Sequence, residues 1–223
     1  MTRYIQRHST LKRWVHGIHM AACLVLVATG LFVFVPALTA AAGPEIVNAL
    51  RIGHRIFAVM FIVVPLAGLV TAPKGFQHML QNAFAKWDAD DKTFMKLFLP
   101  YLFASKKIHM PAQHEVKSGQ RVADGALVLA AVAISISGVI LWIGEPISSA
   151  ALAFALLVHD ISFFGIAILG IAHAYLGAGV FQPYRGMARV MFGDGKISEA
   201  DALYHWGHWA KEELATGHNV VEE

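Results

Sequence analysis

The chain has 223 residues, 57% of them hydrophobic and only 15% charged, with a net charge of +3. That balance suits a polytopic membrane protein and excludes a soluble domain built for nucleic acid. The single cysteine, Cys23, lies in an apolar run, and there is neither a CxxC pair nor a CxxCH motif. No iron–sulfur cluster and no covalently attached haem is therefore expected in this chain.

Four runs are long and apolar enough to cross a bilayer, which takes about 20 residues. They cover roughly 14–36, 51–72, 121–143 and 151–178. The first exceeds the apolar core of a signal peptide and carries His16 and His19, so it reads as a span rather than a cleaved leader. The connection 73–120 contains "FMKLFLPYLF" at 94–103, too short to span and interrupted by Pro100. It reads as a segment lying on the membrane face. The tail contains "SEADALYHWGHWAKEEL", which reads as one soluble helix with Ser198 as N-cap and Glu199 and Asp201 in its first turn. The expected fold is all-α: an integral membrane four-helix bundle with a cytoplasmic amphipathic loop and a C-terminal helix. Residues 1–182 form the membrane domain and 183–223 the tail.

Charge sets the orientation. Arg3, Arg7, Lys12 and Arg13 precede the first span. Lys74, Lys86, Lys92, Lys96, Lys106, Lys107 and Lys117 fill the long connection, and Arg185, Arg189, Lys196 and Lys211 the tail. The connections 37–50 and 144–150 have no Lys or Arg. By the positive-inside rule both termini and the long connection are cytoplasmic. Arg51 and Arg55, at the outer end of span two, break the trend.

Histidine is costly within a membrane and marks function there. With this orientation His16 and His173 lie near the cytoplasmic surface, and His54 and His159 near the outer one. His159 and His173 are fourteen residues apart on span four, about 3.9 turns, so they share a face with an axial separation of roughly 21 Å. Two cofactors stacked across a core of about 30 Å fit that spacing. Haem iron with two axial imidazoles satisfies each pair. Zinc needs three or four ligands at one point, and no third ligand is placed at either level. His19 competes with His16 one turn deeper. The histidines of the loops and tail read as solvated, with His205 and His208 spaced for a metal or for packing.

Gly30 lies fourteen residues after His16, at the level of the outer pair, and Gly138 ends span three. Glycines there leave room for a flat macrocycle, although glycine is also common in membrane helices. Arg51 and Arg55 are placed to meet haem propionates on the outer side, and Arg13 or Arg185 on the inner side, or else to anchor the helices.

These motifs resemble the membrane cytochrome b (gamma) subunit of respiratory formate dehydrogenase, within the bacterial di-haem cytochromes b. The likeness rests on "RWVHGIH" leading to "ATGL", "RIGHRIF", "SGQR", "SGVILW", "LLVHD", "IAHAY", "YRGMARVMFGDGKIS" and "YHWGHWAKEE". It implies two non-covalent b-type haems with His16, His54, His159 and His173 as their iron ligands. It implies partners too: an iron–sulfur subunit on the outer side and a molybdenum or tungsten catalytic subunit. Electrons then reach a quinone, menaquinone or ubiquinone, near the cytoplasmic face. No substrate-oxidising site is expected in this chain.

The resemblance places an Asn-Ala-Gly-Gln run before span three, approaching the quinone together with the inner histidine, here His173. This chain has Lys117 and Ser118 in place of Asn and Ala, and keeps Gly119 and Gln120. Gln120 can donate to a quinone carbonyl or serve as a polar helix start. Lys117 can stabilise a quinol anion or anchor the helix at the headgroups. Other readings are the cytochrome b subunit of a nickel–iron hydrogenase or another molybdenum oxidoreductase, and a self-sufficient b561-type quinone reductase.

Overall fold

A computed structural model describes residues 2–104, 107–180 and 184–223. Lys106 and the expected boundary between residues 182 and 183 lie outside the described residues. The elements in chain order are β1 (Arg3–Gln6), α1 (Thr10–Phe34), α2 (Pro36–Thr71), α3 (Pro73–Ala83), α4 (Ala89–Ala104), α5 (Ser118–Ile143), α6 (Ser149–Gly177), α7 (Ala188–Phe192), β2 (Lys196–Ser198), α8 (Glu199–His205), α9 (Gly207–Thr216) and β3 (Val220–Glu222). Helices α1, α2, α5 and α6 are long and apolar enough to cross a membrane. The fold is an all-α integral membrane bundle with little sheet. Leu129 (73% exposed) and Ile168 (68%) lie bare on these helices, as lipid-facing side chains do.

Local chemistry starts the helices. The Ser9 hydroxyl accepts from the Lys12 amide (3.3 Å) and the Ser148 hydroxyl from the Ala151 amide (3.4 Å). Pro36 opens α2, which breaks at Gly43 (φ +77°) and resumes at Pro44. Only glycine takes that φ without strain, and proline suits a first helical position. The expected connection 37–50 is therefore helical, and the helix bearing His54 begins well before residue 51. Glu45 and Asn48 mask it in an apolar-run reading. His54 lies ten residues beyond Pro44, and His159 ten beyond Ser149. Each is thus about 15 Å into its helix.

The chain resolves into two compact units. One comprises residues 14–75 and 129–168, the other 1–13, 76–128 and 169–223. The first is the helical unit around His54 and His159. The second contains a three-stranded antiparallel sheet, order β2-β1-β3, that the all-helical reading misses. Ile5 pairs with Ile197 on one side and Val220 on the other. Ile5, Val190, Ile197, Ala202, Trp209 and Ala210 form its apolar core.

The connection 73–120 holds two helices, and Phe94 and Tyr101 of the second are buried. The tail helix is two helices, broken at Trp206 (φ −138°, ψ 57°). Ser198 caps the first as expected, accepting from the Asp201 amide at 3.2 Å. At Gly207 a Cβ would come within 3.1 Å of Ala112 Cβ, so the turn needs a small residue.

Buried charge ties this second unit together. Arg121 and Asp91 form an ion pair with side chains 4% and 0% exposed. The Ser118 hydroxyl donates to the other Asp91 oxygen (2.7 Å), and its amide donates to Gln113 (3.0 Å). Burial opposes ionisation of Asp91, but the hydrogen bonds from Arg121 and Ser118 prevail and hold its carboxyl below the usual range. The start of α5 is thereby clamped to α4.

Candidate functional site

His54 and His159 come together. Both line one apolar cavity of about 750 Å³ formed by α1, α2, α5 and α6, within the range of about 300–1,000 Å³ common for cofactor sites. Their ring centroids are 6.5 Å apart and their planes inclined by 56°.

Each imidazole is seated in the same way. The Thr29 hydroxyl on α1 is 2.8 Å from His54 Nδ1, and the Ser137 hydroxyl on α5 is 3.2 Å from His159 Nδ1. Both hydroxyls donate their one proton to the preceding turn: Thr29 to the Val25 carbonyl (2.8 Å), Ser137 to the Ala133 carbonyl (2.7 Å). Each must then accept from an Nδ1–H. In that arrangement a neutral ring keeps its lone pair on Nε2, the form that binds a metal.

Beside each hydroxyl stands a glycine. A Cβ at Gly30 would lie 3.5 Å from His54 Cε1, and one at Gly138 only 3.2 Å from His159 Cε1. At Gly138 a side chain would crowd the imidazole, whereas at Gly30 a Cβ would make an ordinary contact. Thr29–Gly30 and Ser137–Gly138 are thus equivalent seats on two helices. Thr29 and Ser137 went unnoticed in the sequence, although "TG" and "SG" stand within the motifs quoted above.

The geometry fits a bis-imidazole iron. Metal–imidazole bonds are about 2 Å, and a ring centre lies roughly 1 Å behind its nitrogen, so the centroids should be about 6 Å apart. Arg51 and Arg55 are exposed and line the same cavity, with Arg55 5.7 Å from the Trp142 ring centroid. They are placed to hold anionic groups at its edge. His19 belongs to the same unit but stacks on Phe61 (centroids 4.2 Å) and does not line the cavity.

His16 lies on α1 in the first unit and His173 on α6 in the second. In the unit of His173, Gln120 donates to Asp124 (3.1 Å), and Asp124 lies within electrostatic reach of His173. Asp124 was not singled out from the sequence. Arg13 is committed elsewhere, donating to the Gly193 carbonyl and to the Thr10 hydroxyl (3.2 Å).

Lys117 does not sit at a surface. It is 8% exposed, with its amine 4.7 Å from the ring centroids of both Tyr184 and Trp206 and 3.2 Å from His205 Nδ1. His205, expected to be solvated, is only 6% exposed. Burial, aided by the nearby Arg7, pushes the Lys117 amine down to about 7.

Two outcomes are expected. Gly138→Val should push the His159 ring aside and abolish haem binding at this cavity, while Ser137→Ala weakens it by about 10–100-fold; haem titration of the purified variants reads both. A Lys117 proton is bound with a value near 10.5 in the unfolded chain and about 7 in the folded one. Between these pH values the unfolded state holds more protons, so stability rises from pH 7 towards 10. Lys117→Met should flatten that rise, as measured by chemical unfolding in detergent across the range.

The chain matches the family model described as prokaryotic cytochrome b561 over residues 7–193. No curated protein matches it. The match spans all four apolar helices and every histidine of the two levels, so the chain belongs to the prokaryotic cytochrome b561 family and is a membrane haem b electron-transfer protein.

Proposed function

We propose that this chain is the di-haem cytochrome b subunit of a formate dehydrogenase-type complex, taking electrons from an iron–sulfur subunit and passing them to quinone. The observation that carries the reading is the His54–His159 pair, with both Nε2 lone pairs made available by the hydroxyls of Thr29 and Ser137. Bound there, haem supplies a one-electron couple. Arg51 and Arg55 hold its propionates.

His16 and His173 are the second pair in this proposal. His173 lies fourteen residues along α6 from His159. The basic termini and connection 73–120 support a cytoplasmic position for both chain ends. The partners are an iron–sulfur subunit and a molybdenum or tungsten catalytic subunit.

Quinone, menaquinone or ubiquinone, binds at the start of α5, where Gln120 hydrogen-bonds its head near His173. Asp124 lies one turn further and is bonded to Gln120 (3.1 Å). Lys117, with its amine lowered to about 7, can release a proton at neutral pH. The family description equally suits a hydrogenase-type subunit or a stand-alone b561 enzyme, and the retinue of partners separates these.

Affinity capture of the chain from native membranes should bring down an iron–sulfur subunit together with a molybdenum or tungsten protein. A chain that purifies alone and reduces quinone with a small reductant would establish the stand-alone reading instead. His159→Ala should lose one haem and His173→Ala the other, with His19→Ala retaining both; loss of both haems from either single variant while it stays folded would refute the pairing. Gln120→Ala should slow quinone reduction at least tenfold with both haems still reducible, and unchanged turnover would remove quinone from this position.

A further inference from the structure

The two tail histidines part company. His205 turns into the Lys117 cage, whereas His208 joins a separate cluster with Asp88 and His114, all in one compact unit. Each of the three offers one ligand atom, and these atoms lie within 4.8 Å of one another. Asp90 stands beside them, its Oδ2 2.7 Å from His208 Nε2. The imidazoles of His114 and His208 are stacked with centroids 4.8 Å apart.

Each member is held by bonds that do not depend on the cluster. Asp88 uses Oδ1 to accept from the Asp91 amide (2.7 Å), which leaves Oδ2 facing His114 Nε2 at 2.9 Å. The His208 amide donates to the Gln113 carbonyl at 3.0 Å, so the two histidine-bearing segments are bonded side by side. Gln113 is itself buried, its Oε1 accepting from the Ser118 amide (3.0 Å). The stretch before α5 and the start of α9 are thus joined by a backbone bond, and the start of α4 is tied in through the Ser118–Asp91 side-chain bond (2.7 Å).

We propose that Asp88, His114 and His208 bind one zinc ion, with Asp90 as the carboxylate paired to His208. Two imidazoles with a carboxylate are zinc ligands, whereas calcium and magnesium take oxygen alone. Tetrahedral bonds of about 2.0–2.1 Å put ligand atoms roughly 3.3 Å apart. The cluster closes to that by side-chain rotation, which these side chains, 37–53% exposed, are free to make. The ion would pin the tail to the connection before α5. It is independent of the haem reading, which uses none of these residues.

The test uses the full-length protein purified in detergent, stripped with a chelator and titrated with zinc against a chromophoric competitor. One equivalent should bind, and His114→Gln with His208→Gln should weaken that binding at least 100-fold. His218→Gln should leave it unchanged. Circular dichroism and the b-type haem spectrum establish that the variants are folded. Asp90→Asn, which leaves the Asp88 cap intact, should weaken binding about tenfold. X-ray absorption of the loaded protein should show two imidazole nitrogens at about 2.0 Å. Zinc binding to the double variant as to the parent, or a shell of oxygens alone, would overturn the proposal.

Discussion

A hydroxyl that has already given its proton to its own helix can only accept. This simple limit on Thr29 and Ser137 governs the helical unit, because it makes Nδ1 of His54 and of His159 the donor. Both rings are thereby oriented through Nδ1, and in the neutral form each has Nε2 left for a metal. An imidazole in an apolar membrane cavity is tolerable only when its nitrogens are satisfied. One is satisfied by the protein, and the other suits a haem iron of the kind the family carries. Gly138 completes the arrangement by leaving the space the His159 ring needs, and Gly30 stands at the equivalent place beside His54.

The second unit solves a different problem. Arg7, Lys117, Asp91, Arg121 and His205 are all buried there, each with specific partners. Arg7 lies over the rings of Trp206 (4.3 Å) and Trp209 (4.4 Å) and donates to the Glu115 carbonyl. Pairing stabilises Asp91 in its charged form, but Lys117 has aromatic faces and a histidine rather than a carboxylate, so burial wins and its amine loses its proton near neutrality. Burial thus gives the start of α5 a titratable group in the range where proton transfer is useful.

Much of this was legible in the sequence. Unbroken apolar runs long enough for a bilayer fixed four helices, and His159 and His173 both lie on the last of them. Matched depth singled out His54 as the partner of His159, and the structure brings those two rings together. The hydroxyls were not legible, because a Thr or Ser in a membrane helix ordinarily bonds only its own preceding turn. Their second role depends on a histidine from another helix. The length of α2 was missed because Glu45 and Asn48 interrupt its apolar run. Strand β1 was missed because it is four residues long and its partners lie nearly two hundred residues away. The tail was read as one helix because its composition suits a helix throughout; the break falls at Trp206, where Arg7 lies over the rings of Trp206 and Trp209.

The central claim is that two histidines, each seated on a hydroxyl and a glycine, ligate one haem iron from both sides, and that a second such haem is carried further along α6. Low-temperature electron paramagnetic resonance of the oxidised protein, with haem quantified against protein, tests this most directly. Two low-spin ferric haems per chain with bis-imidazole signals are the predicted result. One haem per chain, or a high-spin signal from a five-coordinate iron in folded protein, would contradict it.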